Sequence, residues 1–253
     1  MCTSTLVHVG QHRLLFDCGP GTVANLMKGE LEPWYINYLF FTHHHYDHDS
    51  DYGTFHLVRW DLGHGRAAKL HVYGPEPTEQ QTALLFAPDG VFGRDIAART
   101  KWHGHLWAYQ DIGGTLPRMP PEIEAHDVYP EATLQFDGFT ITTALGVHAQ
   151  PWVDSIAYRI DSKEGSVVIT GDTAKAATLI RLAKDADVLV GWPSTPIEHN
   201  YSAAEFAKEA GVKKLVMSHL GLEDGNAELE KNSKRVFGGP VIMAKDLMEI
   251  PVP

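Results

Sequence analysis

The chain has 253 residues, 43% of them hydrophobic, and a net charge of −11 at pH 7, which is enough apolar material for one large domain. No run of 18 or more apolar residues occurs, which excludes an obvious transmembrane helix, and the acidic balance disfavours nucleic acid, whose binding draws on clustered Lys and Arg. The partner expected on this ground is a small-molecule substrate, with no membrane, and a homodimer is compatible with the composition.

Read in chain order, residues 4–9 and 13–17 form a strand pair around Gly10-Gln11-His12. A chain that starts inside a core strand suggests residues trimmed upstream of Met1. The cytoplasm is the favoured compartment, and a lost signal peptide is left open. A short helix is expected over 22–28 and an apolar strand over 38–42. A helix over 50–61 and a buried strand over 70–73 follow, the latter ended by Gly74-Pro75. Residues 76–122 break the pattern, with one helical stretch near 79–85, several aromatic residues and a Pro-rich end, and read as an insertion or lid within a single domain spanning 1–253. Strands are expected again over 133–136, 139–144, 155–160, 167–170, 188–190 and 214–218, with helices near 174–184 and 202–210. Such alternation suits an α/β fold of two packed sheets with helices outside.

The 15 histidines are the conspicuous excess, and metal is the first chemistry to consider. Residues 42–49 read Thr-His-His-His-Tyr-Asp-His-Asp, which places His43, His45, Asp47 and His48 directly after a strand. In extended backbone, residues two apart point to one side, so His43 and His45 can grip one ion while the chain turns to aim Asp47 and His48 at a second. A solvated or tag-like histidine run is the bland alternative. The internal position, the interruption by Asp47 and the preceding core strand argue against it. His44, between two ligands, points the opposite way.

These residues resemble the metallo-β-lactamase superfamily, whose second motif is His-x-His-x-Asp-His after a strand. Asp17-Cys18-Gly19-Pro20-Gly21 is similar to its first motif. His148, Thr170-Gly171-Asp172-Thr173 and Ser218-His219-Leu220 are similar to the third, fourth and fifth. The resemblance implies an αββα sandwich and a hydrolase with two Zn2+ ions, with Mn, Fe or Co as alternatives to zinc. His43, His45 and His148 would hold the first ion, Asp47, His48 and His219 the second, and Asp172 would bridge them. It also implies that Asp17 shapes the histidine turn without binding metal. Two such ions can share a water and lower its pKa.

Residues 197–204 and 241–246 look like the RNase Z branch, which implies that His199 stabilises or protonates the leaving oxygen, so Asp47 and His199 are the catalytic candidates. The branch's His-Glu-Ala-Thr motif is replaced here by Gly191-Trp192-Pro193-Ser194. In place of a basic arm, the 76–122 stretch offers aromatic residues, among which Trp102 and Trp107 are the expected substrate-pocket residues. The leading expectation is hydrolysis of a small organic ester, aryl ester, phosphodiester, sulfate ester or activated aryl centre. The alternatives are an RNase Z-like tRNA 3′-processing endonuclease and a noncatalytic metal-containing binding or sensor protein.

Overall fold

The computed structural model describes residues 3–193, 202–221 and 226–252. They fall into two compact units, one made of Ser4–Phe41 and Asp49–Asp127, the other of Thr3, Thr42–His48 and the described part of Val128–Pro253. Mixed α/β architecture with two sheets and accompanying helices is found, the class expected.

The first unit holds β1 (Thr5–Val9), β2 (His12–Phe16), α1 (Thr22–Lys28) and β3 (Tyr38–Phe40), and after a gap α3 (Tyr52–Gly63), β4 (Leu70–Gly74), α4 (Thr78–Phe86), α5 (Gly93–Lys101), α6 (His103–Asp111) and β5 (Ile123–Asp127). The one-turn helix α2 (Tyr46–Asp49) ends the intervening histidine segment. β1 and β2 pair through a two-residue loop in which Gly10 supplies the positive φ of a tight hairpin. The remaining strands run parallel in the order β2-β3-β4-β5. Register lines up Leu15, Leu39 and Val72 on one face, where Tyr52 and Phe55 of α3 join them in a buried cluster. On the other face Phe16, Phe40 and Tyr73 stack in a row at 4.9 and 5.1 Å.

The second unit holds β6 (Thr133–Phe136), β7 (Phe139–Leu145), β8 (Ile156–Ser162), β9 (Gly165–Ile169), α7 (Ala177–Leu182), β10 (Val188–Gly191), α8 (Ser202–Glu209), β11 (Lys214–Met217), α9 (Asn226–Phe237) and β12 (Val241–Met243). Strands β6 to β9 pair antiparallel and β9 to β12 parallel. Ala203, Ala207 and Ala210 recur at helical spacing and pack with Phe206, Leu189 and Leu215 in its core. Because β7, β9, β10 and β11 all run the same way, their C-terminal ends lie on one rim of the sheet, where an open α/β sheet collects its functional loops.

The expected helix over 22–28 matches α1, and the other expected elements match within a few residues. Residues 76–122 are more regular than expected, carrying α4, α5 and α6. No helix among the described residues is long and apolar enough to cross a membrane.

Candidate metal centre

The rim loops of the second unit bring together the histidine segment, the loop after β7 with His148, the turn after β9 with Asp172 and the turn after β11 with His219. The segment is pinned at its start, where Ile156 of β8 donates its N–H to the Thr42 carbonyl at 2.9 Å. Thr42 Oγ1 lies 3.1 Å from His43 Nδ1, which fixes the ring and turns Nε2 inward. The loop after β7 is tied to the Asp172 turn from both sides. Val147 N–H donates to Thr173 Oγ1 at 2.8 Å, and Ala174 N–H donates to the Val147 carbonyl at 2.7 Å. Gln150 clamps the same loop, accepting the His148 N–H and donating to the Gly146 carbonyl, each at 2.9 Å. Ser218 N–H donates to the Gly191 carbonyl at 3.0 Å, setting the turn that carries His219.

Three groups of side chains result, each with its ligand atoms within 4.8 Å of one another: His43, His45 and His148; His43, His48 and Asp172; Asp47, His48 and His219. His45 Nδ1 stands 3.1 Å from His43 Nε2 and 3.2 Å from His148 Nε2. One ring nitrogen carries a single proton or a single lone pair, so it cannot satisfy both neighbours well, whereas a cation shared by all three does. Zinc–nitrogen bonds of roughly 2.0–2.1 Å in a tetrahedron put ligand atoms about 3.3 Å apart, close to the spacing seen. His219 Nε2 lies 3.2 Å from Asp47 Oδ2 and 3.4 Å from Asp172 Oδ2, and His48 Nε2 lies 3.7 Å from Asp172 Oδ1. Asp172 thus faces two histidines through different oxygens, an arrangement that suits a bridging carboxylate. The donor set fits divalent ions.

Protonation states agree with this fit. Burial, reinforced by nearby His48, pushes the His43 imidazole down to about 2, and burial also lowers His148. Both are neutral at pH 7, the form that binds a cation. Burial alone would raise the Asp172 carboxyl, but hydrogen bonds and charge from His219 and His48 outweigh it and hold the group below the usual carboxylate range. His219 itself has φ +56, a left-handed conformation uncommon outside glycine that clusters at functional sites.

His44 belongs to none of the groups of convergent ligand atoms found among the described residues. Asp17 lies in the other unit, buried just beyond β2 with φ +59, and donates its N–H to the Phe40 carbonyl at 2.8 Å. Trp102 and Trp107 also belong to that unit. They are 54% and 69% exposed around α6, Trp102 being packed edge-on to His105. His199 lies outside the described residues. Sequence reasoning missed the supports Thr42, Gln150 and Thr173, and it missed Trp192, whose ring contacts those of His148 and His219 at 5.9 and 6.5 Å. The only signal for Trp192 was its place in the segment that departs from the RNase Z pattern.

Residues 1–219 match the family described as the metallo-beta-lactamase superfamily. Among curated relatives, the Ribonuclease Z of Mycobacterium sp. (strain KMS) is 34% identical over 234 residues, 85% of this chain and 76% of that protein. That of Mycobacterium marinum is 30% identical over 274 residues, 98% and 91% of the two chains. Similar solved structures include the metallo-beta-lactamase fold protein YhfI of Bacillus subtilis (TM-score 0.71, 22% identity, covering 97% of this chain and 89% of that one). The short form of human tRNase Z is another (TM-score 0.66, 20% identity, 100% and 93% covered). These findings overturn the expectation of a small-molecule partner with nucleic acid disfavoured, because the relatives are named as ribonucleases. The expectation failed because net charge sums acids over the whole surface. Charges more than about 8–10 Å from a reacting phosphate are largely screened at physiological salt.

Proposed function

Because the chain belongs to the metallo-β-lactamase superfamily, we propose that it is a divalent-metal-dependent hydrolase that cleaves phosphodiester bonds in RNA in the manner of a ribonuclease Z. The observation that supports this most is the convergence of His43, His45, Asp47, His48, His148, Asp172 and His219 on one sheet rim, in a chain 34% identical to a Ribonuclease Z over 85% of its length.

In this reading His43, His45 and His148 hold one ion, Asp47, His48 and His219 the other, and Asp172 spans the two. Imidazole and carboxylate without thiolate suit zinc first, and also manganese, iron or cobalt. Two such ions, when bound, supply local positive charge for a phosphate and a water whose pKa falls towards about 7. The chain's own task is positioning. Thr42 and Gln150 fix the rings of the first group and its loop. The ionised Asp172, facing His48 and His219 through its two oxygens, keeps both groups at one spacing. Asp47, 24% exposed, is the more open carboxylate of the pair and the better placed to accept a proton from an incoming water. His199 is assigned the proton for the leaving ribose oxygen, a role open to imidazole as a side-chain type because its unperturbed pKa lies near neutrality.

The test is cleavage of a precursor tRNA transcript carrying a 3′ trailer. Metal-loaded protein should release the trailer, a chelator should abolish the activity, and restored zinc or manganese should return it. Intact RNA after incubation with protein shown by elemental analysis to carry two ions per chain more than its Asp172→Ala variant would overturn the reading.

A further inference from the structure

A fourth group of convergent ligand atoms lies among residues that the hydrolytic centre does not use. His71, Glu124 and His126, all in the first compact unit, offer ligand atoms within 4.8 Å of one another. Parallel pairing of β4 with β5 places His71 opposite Glu124 and Tyr73 opposite His126. Residues two apart on a strand share a face, so all three side chains stand on the same side of the sheet at its β5 edge. His71 Nδ1 lies 3.7 Å from Glu124 Oε2, and His126 Nε2 lies 3.6 Å from Glu124 Oε1. These spacings are within a small side-chain rotation of the about 3.3 Å that a tetrahedral ion with bonds of roughly 2.0–2.1 Å requires.

We propose that His71, Glu124 and His126 form a separate divalent-cation site that fastens the edge strand β5 to β4 through a borderline ion such as Zn2+, Co2+ or Ni2+. Two imidazoles with one carboxylate select such ions over Mg2+ and Ca2+, which prefer all-oxygen shells. The rings are held before any ion arrives. His71 stacks on Tyr38 at 5.6 Å and 24°, and His126 stacks on Tyr73 at 5.0 Å and 19°, which lowers the ordering cost of binding. All three side chains are about a third to a half exposed, so water can complete the shell. Lys69 is the built-in competitor, its Nζ 3.2 Å from Glu124 Oε2. The pair is exposed, and exposed ion pairs contribute little, so a divalent ion can displace the ammonium. Lys69 also holds the Glu124 carboxyl below its usual range, and burial lowers His71. Both groups are therefore in their cation-binding forms at neutral pH.

The experiment is equilibrium dialysis of the full chain against Zn2+, with bound metal counted by elemental analysis. Wild type should hold one more equivalent than His126→Gln, with affinity for that equivalent weakened at least about tenfold, the scale by which even supporting residues alter metal sites. His71→Gln, on the neighbouring strand, should reproduce the loss, and Lys69→Gln should tighten binding. Trailer release from precursor tRNA should be unchanged in all three. An Asp172→Ala chain should keep this equivalent while losing metal at the hydrolytic centre, so the two sites fail separately. Equal zinc content in wild type, His126→Gln and His71→Gln would overturn the proposal.

Discussion

Gly171 sits so close to Thr42 that a Cβ at position 171 would lie 2.5 Å from the Thr42 side chain. The same glycine has φ +59, and it packs on Thr42, which orients His43, and immediately precedes the carboxylate Asp172. Gly171→Ala is therefore expected to destabilise the fold by about 1–3 kcal/mol, from overpacking and a strained backbone together. It should also lower bound metal, since Thr42 cannot yield without turning His43. Thermal melts with elemental analysis on the same samples check this, and an unchanged melting temperature with full metal content would refute it.

Asp172→Asn keeps the shape of the side chain and removes its charge. In the proposed centre it is the carboxylate that offsets repulsion between two cations, which is strong at short range. The variant should lose at least one metal ion per chain and nearly all RNA cleavage while keeping its far-ultraviolet circular dichroism. Retention of both ions would exclude a bridging role.

Thr173→Val tests the tie between the His148 loop and the Asp172 turn. The substitution leaves the Val147 N–H without the acceptor it has at 2.8 Å, a loss of about 0.5–1.5 kcal/mol for a hydrogen bond at this exposed residue. Metal affinity should weaken while the second group, Asp47, His48 and His219, keeps its ion. Titration with zinc under competition from a chromogenic chelator would show one weakened and one unchanged class of site.

Acid should weaken the first unit through His56. This α3 residue is fully buried, packs edge-on to Phe86 at 4.6 Å, and has no hydrogen-bond partner for either ring nitrogen among the described residues. Burial, with a smaller contribution from Arg59, pushes its pKa from 6.5 down to about 3. The unfolded chain takes up the proton first as pH falls, so this contribution to stability is complete above about pH 6.5 and declines between there and about pH 3. Near pH 5 the loss is about 2 kcal/mol. His56→Phe should flatten urea-denaturation stability over that range, and an unaltered pH dependence in the variant would show that His56 is not the group responsible.

The histidine segment was legible in the sequence because its candidate ligands lie within six positions, His43 and His45 aligned by extended backbone and Asp47 and His48 redirected by the turn that the structure shows as α2. His148, Asp172 and His219 could be assigned only through family resemblance, since nothing local brings together residues 148, 172 and 219. What brings them together is the common direction of β7, β9 and β11, a property of strand pairing. Apolar alternation revealed most strands, but β5 was missed because Ile-Glu-Ala-His-Asp carries charge on a half-exposed edge. Helix α6 was missed because its apolar residues follow no helical period, and α5 because it is largely polar and buries only Gly93 and Ile96.

The sequence by itself therefore determined the fold family, through motifs in a fixed order, and the donor chemistry of the candidate metal ligands, through residue type. It misjudged the partner, because a summed charge of −11 says nothing of where the charges stand. Only the tertiary structure decided that Gly171 must lack a side chain beside Thr42 and that Val147 rests on Thr173. Only it placed His71 against Glu124 and His126 across a strand boundary. Each of these depends on distances between residues tens of positions apart, and such distances are fixed by sheet register, which no local pattern encodes.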